Sequence, residues 1–469
     1  MPGMKKTIKK YSAKHALSGV LKILPYLSDR NILRILSIAK KASVNPAFRE
    51  RIIVLEDKIK SGHPTLEIVR RLNKQLSAVP KKKLIANLFA NAMFDGTARR
   101  QQILKEEGWR PPFFFVLSPT MKCNLKCTGC YAAQYTKQDV ITTEQIDRIF
   151  NEAKELGIYF VTISGGEPFY RQDLLELWEK HNDMFFLVYT NGTLIDSKLA
   201  ERLRELGNVA PAISVEGFKK ETDERRGPGV YEKLLEAWKC LRENGVLFGF
   251  SATCTKYNTE VIYSDDFIDF MIEQGALFGW YFQYIPIGRK PDTSLMATPE
   301  QRAWARERLD YIRNTKPIIL ADFWNDGHLA GGCIAGGRVY FHINAHGNIE
   351  PCVFTHFTKD NIRDTTIRQA LQSDLFKTIQ KHQPYSKNLM CPCMIIDNPE
   401  VLRNIVKQTG AKPSYPGAEA IITESAAFLD EYARKIHELW DPVWAEKYEY
   451  GKKLKGLDAE VAEKLFSEK

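Results

Sequence analysis

Cys123, Cys127 and Cys130 stand at C-x3-C-x2-C spacing in the segment Met121-Lys-Cys-Asn-Leu-Lys-Cys-Thr-Gly-Cys-Tyr131. Three thiolates on so short a loop can hold three irons of a 4Fe–4S cluster. The fourth iron then has no protein ligand within the motif, so a small molecule can bind it and receive an electron. Four further cysteines have ligand-like surroundings: Cys333 among glycines, Cys352 after Gly347-Asn-Ile-Glu-Pro, and the pair Cys391-Pro-Cys393. Four thiolates complete the shell of one cluster; a structural zinc is the competing assignment. Cys240 and Cys254 lack ligand spacing, and Cys240 reads as helix packing.

The elements that must position these groups fall into distinct rhythms. Residues 1–110 read as a basic helical region. Leu17, Val20, Leu21 and Leu24 recur at helical spacing before Pro25, followed by Ile32, Leu33, Leu36 and Ile38. Further helices are expected over 47–60, 64–77 and 81–94. Residues 1–100 hold 22 Lys and Arg against 6 Asp and Glu, while the whole chain is only +10, so the basic character is confined to this end. Such a region either packs on the domain that follows or offers a basic amphipathic surface to anionic lipid. No nucleic-acid motif accompanies the charge.

From residue 111 to about 320 short apolar runs alternate with helical patterns. Strands are expected at 113–117, 159–163, 185–189, 211–215, 247–253 and 279–285. Helices are expected near 144–156, 171–181, 196–206, 229–243 and 264–274. Six strand–helix units imply a parallel α/β fold whose strands are covered on both faces. The rhythm fails after about 320. Residues 321–410 are rich in Gly, Cys and His with helices at 365–382 and 396–409. The linker Lys412-Pro-Ser-Tyr-Pro-Gly417 introduces 411–469, where a helix over 419–439 and the anchors Trp440, Trp444 and Tyr448 are expected.

The cysteine triad after a strand resembles the signature of the radical S-adenosylmethionine (radical SAM) superfamily. Ser164-Gly-Gly-Glu-Pro168 and Thr190-Asn-Gly192 at the ends of the next two strands are similar to that family's GGEP and TNG elements. The resemblance implies an α/β partial (β/α)6 barrel. It also implies a cluster that reductively cleaves S-adenosylmethionine to a 5'-deoxyadenosyl radical, which abstracts hydrogen from an unactivated C–H bond. On it, Tyr131 lies near the adenine, Gly165, Gly166 and Glu167 bind the methionine amino group, and Asn191 lies near the nucleoside. Ser214 and Glu216 take the place of a ribose-contacting pair, although Asp is commoner than Glu at the second position. Arg225 or Arg226 binds the carboxylate of S-adenosylmethionine, and Ser251 and Thr253 meet methionine or ribose oxygens. Tyr281, Gln283 and Tyr284 are candidates to line the substrate pocket, with Asp322 and His328 in reach of substrate. Cys254, at a strand end, is a minor catalytic candidate, and His342, His346 and His356 gather near the later cysteines.

The later cysteines resemble SPASM and twitch extensions, which hold auxiliary clusters. A full SPASM domain needs about seven cysteines, so Cys333, Cys352, Cys391 and Cys393 imply a single auxiliary cluster, with electron acceptance as its expected role. No cobalamin domain is evident. The favoured substrate is lipid-like, from the basic Leu/Ile-rich preface; a peptide-modifying maturase, a small-metabolite enzyme and a non-enzymatic iron–sulfur scaffold are the alternatives. The remaining expectations are an electron donor such as ferredoxin or flavodoxin, no nucleic-acid partner, and a cytoplasmic protein peripheral to the inner membrane face. The last rests on the absence of a secretory signal and of a long apolar run.

Overall fold

The computed structural model describes residues 28–42 and 46–446 of the 469. Leu17, Val20, Leu21, Leu24, Pro25 and Tyr448 lie outside the described residues. Seven parallel strands follow one another across one sheet in chain order: β1 (Phe114–Leu117), β2 (Phe160–Ile163), β3 (Phe185–Thr190), β4 (Val209–Ser214), β5 (Gly249–Cys254), β6 (Phe278–Gln283) and β7 (Ile319–Asp322). Beyond β1, the parallel two-residue strand β8 (His342–Ile343) pairs with Val116 and Leu117, and β9 (Asn348–Glu350) runs antiparallel to β8. The sheet remains open, with β7 at one edge and Asp360–Asn361 at the other.

The expected α/β architecture is therefore present, with one strand more than six. β7 follows the helix Pro299–Thr315 and continues the register from β6, pairing Phe278 with Ile319 through Tyr281 with Asp322. Its sequence, Ile-Leu-Ala-Asp, is too short to alternate visibly. The expected 365–382 helix is two, Ile367–Ala370 and Asp374–His382, and the final helix runs Ala426–Trp444 after a 3-10 turn at Ala418–Ile422.

The strands have two dissimilar faces. One packs against the helices: Phe115, Val161, Phe186, Ile213, Phe250 and Tyr281 join Phe150, Trp178, Trp238 and Phe267 in one core. The large aromatic side chains in that layer each remove substantial apolar area from water. The other face looks into a cavity at the C-terminal ends of the strands.

The helical preface closes the opposite end. Leu72, Leu76, Leu84 and Leu88 pack against Phe160, Phe185, Ala210, Leu247, Leu277 and Phe278, at or just before the starts of β2–β6. Polar clamps fix it: Arg71 donates to the carbonyls of Pro317, Ile272 and Ala276, Asn87 to those of Asn182 and Met184, and Arg100 to that of Gly157. Each of these donors supplies a hydrogen bond to a backbone carbonyl in place of water. Leu72, Leu76, Leu84 and Leu88 of the preface are thus spent on the strand ends, while Val79, Phe89, Met93 and Phe94 remain exposed. Among the described residues, no helix is long and apolar enough to cross a membrane.

Candidate active site

The cavity at the strand C-termini has about 1220 Å³ of space including its open mouth. Cys123, Cys127 and Cys130 all line it, together with Gly165, Gly166, Asn191, Ser214, Ser251 and Thr253.

The cysteine loop is held by close backbone packing. The amide of Gly166 donates to the Thr120 carbonyl (2.8 Å), Glu167 to Lys122 (2.8 Å) and Arg289 to Cys130 (3.0 Å). A Cβ on Gly166 would stand 2.2 Å from the Lys122 oxygen, and one on Gly288 2.3 Å from the Cys130 oxygen. Only glycine permits this approach. The thiols lie close enough to feel one another: burial raises the pKa of Cys123 and Cys130, and the Cys127 charge raises both further. Bound metal would offset that cost by stabilising the thiolates. The Leu125 amide donates to Cys123 Sγ (3.4 Å), and Asn191 Nδ2 lies 3.6 Å from it. Three convergent thiols with sulfur-directed donors fit a cluster.

Several residues take different tasks from those expected. Glu167 is fully buried, and its carboxylate accepts from the Phe169 amide, the Thr190 hydroxyl and the Asn191 amide. It therefore ties the end of β2 to the end of β3 and does not line the cavity, where Gly165 and Gly166 do. Burial pushes its pKa up to about 7, against these hydrogen bonds. Asn191 holds the cysteine loop through Asn124 Oδ1 (2.7 Å). Glu216 is buried and points away from the cavity. Its carboxylate pairs with Arg225 (2.6 Å) and Arg226 and accepts from the Thr253 amide (3.2 Å). Both guanidiniums remain on the cavity wall, so Glu216 aims cations rather than touching the cavity itself. Ser214 and Ser251 share a hydroxyl contact (3.1 Å), and Tyr131 bonds Ser164 (2.7 Å).

Of the proposed pocket residues, Gln283 and Tyr284 reach the cavity. Tyr281 does not: it sits in the helix layer, stacked on Tyr263 (4.2 Å) and donating to the Ile262 carbonyl, while Gln283, of the same parity, reaches the cavity at the strand end. Asp322 is buried outside the cavity and accepts from the Tyr263 hydroxyl (2.6 Å) and the amides of Trp324 and Asn325. His328 is also off the cavity, its pKa held down to about 4 by burial and then by Arg306. Cys254 is buried against Thr259 (3.1 Å) and Cys240 lies on the buried side of its helix. The residues missed are aromatic: Tyr189, Phe282, Phe323, Tyr340 and Phe354. Tyr189 and Phe282 occupy the inward parity of β3 and β6, which alternation from Asn191 and against Tyr281 would have found.

A second cysteine centre lies behind this aromatic wall. Burial lifts the Cys333 pKa to about 12, with the Cys352 charge adding; burial and the Asp397 and Cys333 charges raise Cys393. Tyr340 lines the cavity on one side and meets Cys352 Sγ with its hydroxyl (2.9 Å) on the other. The Phe354 and Ile395 amides approach the sulfurs of Cys352 and Cys393 (3.5 and 3.3 Å). These three thiols share one environment and fit an auxiliary cluster. The charges that act on the Cys391 thiol are those of Asp397, Arg302 and Asp441, with no other cysteine among them. Cys391 faces the last helix, with its sulfur near His437 and Asp441, because the Cys-Pro-Cys turn sends its two side chains apart. His342 is locked between Ser118 (2.8 Å) and Glu350 (2.6 Å), and His356 bonds Tyr415 (3.0 Å) and the Val353 carbonyl (3.0 Å).

Comparison with known proteins finds the Radical SAM superfamily over residues 117–260 and the SPASM iron–sulfur cluster-binding domain over 333–394. Similar proteins include the AdoMet-dependent heme synthase of Methanosarcina barkeri (strain Fusaro / DSM 804), 25% identical over 56% of this chain and 82% of that one. The PqqA peptide cyclase of Granulibacter bethesdensis is 26% identical over 62% of this chain and 81% of its own. The crystal structure of Streptococcus suis SuiB bound to S-adenosylmethionine shares the fold, with TM-score 0.54 and 22% identity, over 64% of this chain and 76% of that one.

Proposed function

We propose, for a chain that belongs to the radical SAM superfamily and carries a SPASM extension, that it is an enzyme that modifies a peptide or protein at an unactivated C–H bond. Reduced and loaded, the cluster at Cys123, Cys127 and Cys130 supplies the electron that converts S-adenosylmethionine to methionine and a hydrogen-abstracting 5'-deoxyadenosyl radical. The chain's own residues orient and enclose. Gly165 and Gly166 leave backbone room for the methionine end, Arg225 and Arg226 offer bidentate donors to its carboxylate, and Ser214, Ser251 and Thr253 face the sugar.

The observation that carries the substrate reading is the cavity's division into two walls. Serines, Thr253 and the arginines form one; Tyr131, Tyr189, Phe282, Phe323, Tyr340 and Phe354 form the other. An apolar or aromatic side chain fits the second wall while its flanking backbone remains at the mouth. The PqqA peptide cyclase supports a peptide by relationship. The lipid-like substrate expected from the preface has no counterpart in these relatives, and Leu72, Leu76, Leu84 and Leu88 of the preface pack on the strand ends. The same wall also accepts a flat macrocycle, and the heme synthase relative makes that the second reading.

The test is anaerobic reaction of the reduced, reconstituted protein with S-adenosylmethionine and, separately, peptides bearing aromatic residues, iron porphyrins and lipid vesicles. Peptide-stimulated formation of 5'-deoxyadenosine with a mass loss of about 2 Da in the peptide is expected, one hydrogen atom going to the 5'-deoxyadenosyl radical and the second leaving as a proton with its electron passed to the auxiliary cluster. Stimulation by porphyrin or vesicles alone overturns the peptide assignment. Absence of deoxyadenosine and methionine in every arm overturns radical chemistry.

A further inference from the structure

The separation of Cys391 from the other auxiliary cysteines is specific. At Cys123, Cys352 and Cys393 the amide two residues on donates to the sulfur. At Cys391 that amide belongs to Cys393, and it donates instead to Asp397 Oδ2 (3.0 Å). Asp397 is fixed by a fully buried pair with Arg302 (2.7 Å). Asn398 Nδ2 donates to the carbonyls of Cys391 (2.9 Å) and Cys393 (3.2 Å), fixing the turn that parts them.

Cys391 is fully buried, yet its sulfur lies within 4.8 Å of a ring nitrogen of His437 and a carboxylate oxygen of Asp441. His437 and Asp441 are four residues apart on the helix Ala426–Trp444 and so share a face. The Asp397 carbonyl lies 3.2 Å from His437 Nε2 and can only accept, so Nε2 carries the hydrogen. In the neutral ring Nδ1 then presents a lone pair, yet it stands 3.0 and 3.1 Å from the two oxygens of Asp441. This is the spacing of an i,i+4 ion pair, and the same two groups, with the Cys391 sulfur beside them, could hold a cation. Asn388 Nδ2 orients the carboxylate from behind (2.8 Å to Oδ1). A backbone carbonyl on the distal histidine nitrogen and an amide on the carboxylate are the outer supports expected of metal ligands.

We propose that Cys391, His437 and Asp441 form a mononuclear site for a borderline divalent transition metal, zinc by preference, separate from the auxiliary cluster of Cys333, Cys352 and Cys393. Thiolate, imidazole and carboxylate together suit zinc, with a fourth position open to water because Asp441 is exposed. Tetrahedral bonds of about 2.0–2.3 Å place ligand atoms roughly 3.5 Å apart, so His437 and Asp441 would part slightly from their 3.0 Å contact and the Cys391 sulfur stands within 4.8 Å of both. Binding releases the Cys391 thiol proton to solvent. None of the three residues lines the active-site cavity, so the ion braces the last helix against the loop that presents Cys393. The proposal is independent of the substrate class.

The experiment uses the full chain, purified anaerobically, stripped of loosely held divalent ions and titrated with zinc, then with cobalt(II) as a spectroscopic probe. Wild type is expected to retain one zinc per chain and to give a sulfur-to-cobalt charge-transfer band. Cys391→Ser, His437→Gln and Asp441→Asn are each expected to weaken metal binding at least tenfold, with iron content unchanged; the Cys391 variant also loses the cobalt band. His437→Gln and Asp441→Asn alter half-exposed and exposed positions, so circular dichroism should show them folded. Loss of about four irons in Cys391→Ser makes Cys391 a cluster ligand and overturns the proposal. So does zinc retention equal to wild type in folded His437→Gln and Asp441→Asn, or no zinc and no cobalt band in wild type.

Discussion

Cys123, Cys127 and Cys130 leave one loop between β1 and the helix Thr143–Glu155, whereas Cys333, Cys352 and Cys393 come from three segments. The first loop is clamped by glycines whose neighbours leave no room for a methyl group. The second centre is bounded by aromatic side chains, Tyr340 among them. A local motif is positioned by the backbone and survives as a recognisable spacing. A centre gathered from distant segments is positioned by packing, and its spacing says little about which sulfur points where. The difference also divides labour: the first centre opens onto the cavity, while Tyr340 and Phe354 stand between the second and the cavity.

The sharpest test of that division removes one sulfur from each side. Cys127→Ala should lower deoxyadenosine formation more than about a thousandfold, equivalent to about 4 kcal/mol in the barrier. Cys352→Ala should leave S-adenosylmethionine cleavage within a few-fold of wild type while abolishing substrate product. Equal loss of cleavage in both variants would erase the distinction between the centres.

The backbone clamps give the next largest effect. In Gly166→Ala the new Cβ meets the Lys122 carbonyl at 2.2 Å, and backbone rather than a flexible side chain must yield. Overpacking of this kind costs about 1–3 kcal/mol, with iron lost first from the triad. Gly332, beside Cys333, meets nothing nearer than 3.4 Å, so Gly332→Ala pays only for its left-handed φ of +96°, about 1 kcal/mol. Iron content and urea midpoints of the two variants check the ranking. Beyond these, Tyr340→Phe deletes the hydroxyl contact to Cys352 Sγ. Outer-shell changes typically cost 10–100-fold in affinity or activity, here expected in product formation at unchanged deoxyadenosine yield.

Much of this was legible in the sequence. The triad, the glycine motif after β2 and six strands follow from spacing and apolar runs, because both arise from contacts close in the chain. What escaped depends on contacts across it. Tyr281 and Phe282 differ only in parity, and one buried neighbour decides which faces the cavity. Glu167 has the chemistry of an ammonium receptor, and the bonds it also accepts from the Thr190 hydroxyl and Asn191 amide come from the next strand. The preface reads as an amphipathic surface until β2–β6 supply the wall that covers it. Cys391 and Cys393 are indistinguishable by spacing, and only Asp397 and the final helix separate them.

The two centres should also respond to pH in opposite senses. Glu167, behind the first, has a folded pKa raised to about 7 from an ordinary 4.5, chiefly by burial. The folded state therefore binds the extra proton. Its stabilising contribution is complete below about pH 4.5 and is lost as pH rises through 7. His356, beside the second, is held down to about 4 from 6.5 by burial, against the charge of Glu350. The folded state excludes that proton, so its contribution is present above about pH 6.5 and is lost as pH falls toward 4. Each shift of roughly 2.5 units corresponds to at most about 3.4 kcal/mol. Glu167→Gln should flatten the decline between pH 4.5 and 7, and His356→Gln, which keeps a donor for the Val353 carbonyl and an acceptor for Tyr415, should flatten the acid loss. Urea unfolding across pH 4–8 measures both. If one variant removes both slopes, the two centres titrate as a single unit and the contrast between them fails.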